Sequence, residues 1–134
     1  LKEWELAAYT EFRPNNKDGY KFKKSYPYPT GENTLGLNCL NDCNFNYPSK
    51  YSKLLLRGYG HVSTFSTKNG VNGLYDMGGN VWEWVDINDN SYKGTKGGSW
   101  WYGKNQMIQG YNATKPKNMS AVYIGFRCVK DFKN

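Results

Sequence analysis

The chain has 134 residues, with 18 Lys and Arg against 11 Asp and Glu, for a formal net charge of +7. Hydrophobic residues make up 38% and mean hydropathy is −0.84, which suits one domain with a modest core and excludes a membrane span. The lysines are scattered, Lys21, Lys23 and Lys24 being the tightest group, and there is no Arg-rich run, helix-turn-helix pattern or zinc-finger spacing, so the charge argues against sequence-specific nucleic-acid reading.

In chain order, Leu1, Trp4, Ala7 and Ala8 recur at helical spacing and predict a short amphipathic helix over Lys2–Tyr9. It should end before Pro14 and the Asn15–Asn16 loop. From Gly19 to about Tyr59 the chain is rich in Tyr, Asn, Pro and Gly with little periodicity, and reads as irregular structure pinned by aromatic side chains. Pro27 and Pro29 predict that the YPYPTGE stretch is extended and rigid. His61–Phe65, with β-branched residues at alternate places, is a strand candidate, and Asn69–Asn72 supply a turn. Gly73–Trp84 should form a tight loop running into a buried aromatic segment. Val81–Val85 and Gly98–Trp101 read as core strands, and Tyr123–Val129 as a last, central strand. The expected class is α+β, loop-rich and low in helix, as a single domain over residues 1–134.

Cys39, Cys43 and Cys128 are an odd count, so at least one thiol stays unpaired within the chain. Cys39 and Cys43 either close a small disulfide loop or contribute to a metal site. Zinc would need two further ligands, and His61 is the only histidine, so zinc is not expected. Neither the cysteines nor the start at Leu1 assigns a compartment.

Two carboxylates seven apart, Asp76 and Glu83, lie in a Gly-containing loop. Such a loop can curl around a hard cation, with backbone carbonyls completing the oxygen shell that Ca²⁺ takes. The plain alternative is that both side chains cap turns through backbone amides. Trp82, Trp84, Trp100 and Trp101 are either a wall for a sugar or cation or part of the core. The segment from Trp101 to Tyr123 is rich in Tyr, Asn, Ser and Lys, the palette of a paratope, and is expected to present a binding face. No Ser-His-Asp or Cys-His arrangement is evident, and His61 reads as structural.

Six segments, in order, resemble the formylglycine-generating enzyme (sulfatase-modifying factor) family: KEWELAA, YPYPTGE, LNCLNDC, GHVSTFSTKNGVNGLYDMGGNVWEWV, KGGSW and IGFRCV. The GLYDM-x-GNVWEW block is the most specific of them. The resemblance implies a C-type-lectin-like fold with few helices, short twisted strands and long ordered loops. It also implies that the family's region upstream of the EWE helix is missing from this chain. Asp76, Gly79, Val81 and Glu83 match ligands of a structural calcium in that family. Asn38 and the carbonyl of Cys39 match part of a second calcium site whose other ligands do not align.

In the family's enzymes two copper-binding cysteines follow the Ser of GGS by three and eight residues. Here those positions are Tyr102 and Met107, neither of which supplies the thiolate that Cu(I) selects. Copper, and formylglycine generation by the family route, are therefore not expected. The implied function is a groove lined by Trp101, Tyr102, Asn105, Met107 and Tyr111 that takes a peptide, protein or small-molecule ligand. The alternative is an oxidase or hydroxylase whose metal ligands lie outside this chain. Cys128 matches a family cysteine that pairs with one upstream, and without that partner it is expected to be a buried free thiol.

Overall fold

A computed structural model describes residues 1–43 and 60–130. The part of the expected irregular region that falls on residues 44–59 lies outside the described residues. One helix, α1 (Lys2–Tyr9), precedes four short strands: β1 (Trp82–Val85), β2 (Tyr92–Lys96), β3 (Ala113–Pro116) and β4 (Ile124–Gly125). They form one mixed sheet in the order β3-β2-β1-β4. β1 pairs antiparallel to β2 and β2 to β3, while β4 runs parallel to β1 along its other edge. No described helix is long and apolar enough to cross a membrane.

The helix forms where the spacing predicts it, with Glu3 and Glu5 in its first turn, where they complement the helix dipole. Its apolar face buries Trp4, Ala8 and Tyr9 against Met77 and Val85. Two polar tips fix its orientation: Trp4 Nε1 donates to Glu83 Oε2 at 2.6 Å, and Tyr9 Oη donates to the Met107 carbonyl at 2.8 Å. A second cluster gathers Leu37, Cys39, Cys43 and Met107, with Cys39 and Cys43 joined by a disulfide. That bond settles the choice between a disulfide and a metal role for their thiols.

Lys96 on β2 is only 1% exposed. Its ammonium donates to Glu5 Oε1 at 2.9 Å, to the Tyr111 carbonyl at 2.5 Å and to Asn112 Oδ1 at 3.3 Å. A buried ammonium is tolerated only with such partners, and here they tie α1, β2 and the loop before β3 together. Glu11, fully buried just after α1, accepts from the Arg13 amide and guanidinium and from the Asn72 amide. Burial alone would raise its pKa. The Arg13 and Asn72 hydrogen bonds outweigh it and hold the carboxyl at about 2.

Several expectations need correcting. His61–Phe65 is not a strand, because the Val62 amide and carbonyl are taken by the Asn80 side chain rather than by a neighbouring strand. Gly98–Trp101 is a turn: β2 ends at Lys96, and Gly97 and Gly98 follow at φ +89° and +70°, which swing the chain off the sheet. The YPYPTGE stretch is not extended throughout, since Tyr28 and Gly31 exchange two backbone hydrogen bonds around Pro29 and Thr30. The last strand is only Ile124–Gly125 and lies at the sheet edge, not its centre. Cys128, beyond that short strand, is exposed rather than buried.

Candidate functional site

The turn that follows β2 builds one face of the molecule. Ser99 accepts from the Trp101 amide through Oγ at 3.2 Å and from the Tyr102 amide through its carbonyl at 3.0 Å. The Tyr102 carbonyl in turn accepts from the Leu40 amide at 3.0 Å. This rigid turn directs Trp100 into the core and leaves Trp101 and Tyr102 half-buried at the surface.

Around them the rings form a connected cluster. Tyr102 meets Trp82 edge-on at 5.3 Å, and Tyr111 lies 6.3 Å from Trp82 on another side. Tyr123 stands 5.8 Å from Tyr102 and 5.9 Å from Trp101, which itself packs on Trp100 at 4.9 Å. From β3, Lys115 places Nζ 5.5 Å above the Trp82 ring and 5.7 Å above the Tyr102 ring. Burial raises the Tyr123 phenol above its usual pKa, and the neighbouring Tyr102 adds to the shift. The indole N–H of Trp82 is buried and has no acceptor among the described residues, which costs about 1–3 kcal/mol.

Of the five residues expected to line a groove, the structure brings Trp101, Tyr102 and Tyr111 together. Asn105 is exposed in the 3-10 turn Lys104–Met107, and no contact ties it to the rings. Met107 is a correction: it is 0% exposed and packs on Leu37, Cys39 and Cys43. Its side chain is sealed against Leu37 and the Cys39–Cys43 disulfide, so it lines no groove. Lys115 and Tyr123 fall within the Trp101–Tyr123 segment expected to present a binding face, but the sequence did not single them out.

The second candidate is the loop before β1. Asp76, Glu83 and Arg127 share a cavity of about 350 Å³ walled by Phe65, Leu74 and Phe126. Asp76 is 8% exposed; its Oδ1 accepts from Thr67 Oγ1 at 2.7 Å and its Oδ2 has no hydrogen-bond partner among the described residues. Burial raises its pKa, and the Thr67 hydrogen bond and the Arg127 charge offset only part of that rise.

Glu83 is differently placed. Arg127 Nε donates to both of its oxygens at 2.8 and 2.7 Å, Arg127 Nη2 donates to Oε1 at 2.6 Å, and Trp4 takes Oε2. Arg127 Nη2 also reaches the Tyr75 carbonyl at 2.9 Å. Both oxygens of Glu83 thus carry two donors each, the full complement of a carboxylate oxygen.

Asp76 therefore fits a cation, having a bare oxygen in a buried site, whereas Glu83 fits one only by giving up donors. Gly79 and Val81 lie on the same loop. Among the described residues no three His, Cys, Asp or Glu side chains gather around one point. Asn38 is spoken for structurally: Nδ2 donates to the Gly60 carbonyl and to Asn80 Oδ1, and its carbonyl accepts from the Asn80 amide. Cys39, beside it, is in the disulfide.

Comparison with known proteins agrees with this architecture. The model of a family described as "Sulfatase-modifying factor enzyme 1-like domain" matches residues 1–132. The crystal structure of CarF is similar over 93% of this chain at 21% identity and a TM-score of 0.59. A structure of Treponema denticola variable protein 1 is similar over 92% at 23% identity and a TM-score of 0.54. The chain spans 43% of the length of each of these two, and at these identities the likeness is one of fold. No curated protein sequence matches it.

Proposed function

The chain belongs to the family of sulfatase-modifying factor enzyme 1-like domains, and on that premise we propose that it is a ligand-binding member which does not use the family's copper-cysteine chemistry. The positions where that chemistry would need thiolates hold Tyr102, a half-buried ring, and Met107, a sealed core residue. The fold is read as the C-type-lectin-like type, whose loop-built face carries the contacts. The observation that carries the reading is the connected ring surface of Trp101, Tyr102, Tyr111 and Tyr123 with Lys115 above it. Rigid aromatic side chains give large contact area at little entropic cost. A peptide is the favoured ligand class.

The test is selection from a random displayed peptide library on the native protein, followed by titration of the enriched peptides. Trp101→Ala is expected to weaken them tenfold or more, as truncation of an aromatic anchor does. Peptides that bind Trp101→Ala as tightly as the wild type would place the contact elsewhere.

The loop from Asp76 to Glu83 is proposed to hold a structural calcium, with Asp76 Oδ2 as its open carboxylate ligand, the carbonyls of Gly79 and Val81 as neutral ones, and Glu83 joining by releasing donors. Bound there, the ion supplies positive charge that relieves the buried Asp76 and braces the loop. Asn38 and the Cys39 carbonyl remain the proposed part of a second site. Melting temperature should rise by about 5–10 °C between chelated and calcium-saturated protein, the size expected for a ligand held well above its Kd. Asp76→Asn should abolish the response. An identical melt with and without calcium would reject the ion.

A further inference from the structure

We infer that the aromatic face recognises a carboxylate, through Lys115 and the indole N–H of Trp82 acting as a pair. The inference rests on the reading of this face as the ligand-contact surface and adds the chemistry of what it takes. Two independent observations carry it. The first is the orphaned donor: Trp82 is 1% exposed, yet its Nε1 has no acceptor among the described residues, and buried N–H groups without a partner are rare enough to require a reason. The second is the lysine. Lys115 is in no ion pair among the described residues, and its ammonium rests on the Trp82 and Tyr102 rings instead.

The placement of Lys115 also runs against simple sheet stability. Its register partner across the β2–β3 ladder is Lys93, and like charges set directly opposite destabilise a sheet. Lys93 has its own counter-ion in Asp86 at 2.6 Å, so only Lys115 is left without one. Among the described residues no carboxylate belongs to the ring cluster, and the chain carries a net charge of +7. Among the described residues the face thus presents one cation without a counter-ion and one N–H donor without an acceptor.

The geometry suits one carboxylate. Nζ stands 5.5 Å from the centre of the Trp82 ring. A carboxylate has oxygens about 2 Å apart, each accepting at about 2.8 Å, so it can span from the ammonium to the indole N–H. The side chains seen against the Trp82 ring are the half-buried Lys115 and Tyr102, and Tyr111 at 37% exposure. Swinging Lys115 off the rings opens the way and turns its ammonium toward the incoming anion. Tyr111 and Trp101 then offer ring surface to the residues that flank it. An Asp or Glu side chain in a peptide, or a peptide's C-terminus, provides this group.

The test uses the native protein and two probes, an oligoglutamate peptide and an oligoglutamine peptide of equal length. The indole N–H resonance of Trp82 is followed by NMR and assigned with Trp82→Phe. The glutamate peptide should shift it saturably and the glutamine peptide should not. Lys115→Met, which keeps the apolar stem, should weaken the glutamate peptide tenfold or more. Lys17→Met, an equal loss of charge at a remote exposed site, should weaken it less than twofold.

An unmoved Trp82 resonance, an equal response to the glutamine peptide, or equal weakening by Lys17→Met would each overturn the assignment. The last would mean diffuse attraction to a basic protein. The NMR arm reads the wild type, so it stands even if a variant misfolds. If displayed peptides bind in a Trp101-dependent way but carry no acidic residue and no free C-terminus, the ligand-binding reading survives and this one falls.

Discussion

Gly79→Ala should lower stability by about 4 kcal/mol and the melting temperature by about 15 °C. Two costs combine. Gly79 sits at φ +72°, a conformation that charges any residue with a Cβ about 1–2 kcal/mol. In addition, the new methyl would strike the carbonyl oxygen of Asn38, with the Asn38 carbonyl carbon 3.0 Å away. Neither partner can retreat. The Gly79 amide donates to the Gly97 carbonyl at 2.7 Å, and the Asn38 carbonyl accepts from the Asn80 amide at 2.8 Å. Forced overpacking of this kind typically adds about 1–3 kcal/mol.

Gly110 separates the two costs. It also has positive φ, +84°, but a methyl there would meet nothing within 4 Å. Gly110→Ala should therefore show the backbone part alone. Thermal melts of the two variants give the steric part by difference, and equal losses would mean that the approach to Asn38 is looser than it looks.

The same loop shows what could be read from the sequence and what could not. The GLYDM-x-GNVWEW block brings Asp76, Gly79, Val81 and Glu83 within eight residues by motif alone, the first three on the loop and Glu83 on β1, yet it says nothing of Arg127. Arg127 lies on the far side of the sheet in sequence and reaches Glu83 only because β4 pairs parallel to β1. Likewise α1 is legible because its apolar residues follow the helical period, which is a local property. The strands are not. Tyr92–Lys96 and Ala113–Pro116 are short and mostly polar, and they exist because they pair with each other, which no local pattern encodes.

The reverse error arises at His61–Phe65, where β-branched residues suggest a strand but Asn80 has already taken the backbone groups of Val62. At the aromatic face, the motif and composition located Trp101, Tyr102 and Tyr111. Met107 misled because counting from Ser99 gives sequence distance but not direction. Lys115 carried one usable signal, alternation with Ala113 along a short run, but without the register nothing marked it as lying over Trp82.

Asn72→Ala is expected to cost about 4 kcal/mol as well, through the far end of α1. The helix ends at Thr10 in an extended conformation, leaving carbonyls without partners inside the helix. Asn72, more than sixty residues later, supplies them: Nδ2 donates to the Ala7 carbonyl at 2.9 Å and to the Thr10 carbonyl at 2.7 Å. Its Oδ1 accepts from the Phe12 amide at 2.7 Å. Three hydrogen bonds at about 1 kcal/mol each are lost in the variant. A further 1 kcal/mol or so comes from placing Ala at φ 56°, where Asn is tolerated. Asn72→Gly removes that strain but not the hydrogen-bond loss, so it should cost about 3 kcal/mol.

Amide exchange distinguishes a cap from a general packing role. The Thr10 amide donates to the Leu6 carbonyl in the last turn of α1, and its protection should fall further than that of the β1–β2 ladder in both variants. Uniform loss across the helix and the sheet would show that Asn72 supports the fold as a whole. The fraying has a consequence beyond the helix, because α1 carries Trp4, whose indole N–H holds one oxygen of Glu83. Loosening the helix frees an acceptor site on that carboxylate. The calcium response should therefore be larger in Asn72→Gly than in the wild type, which ties the cap of α1 to the loop that begins four residues after it.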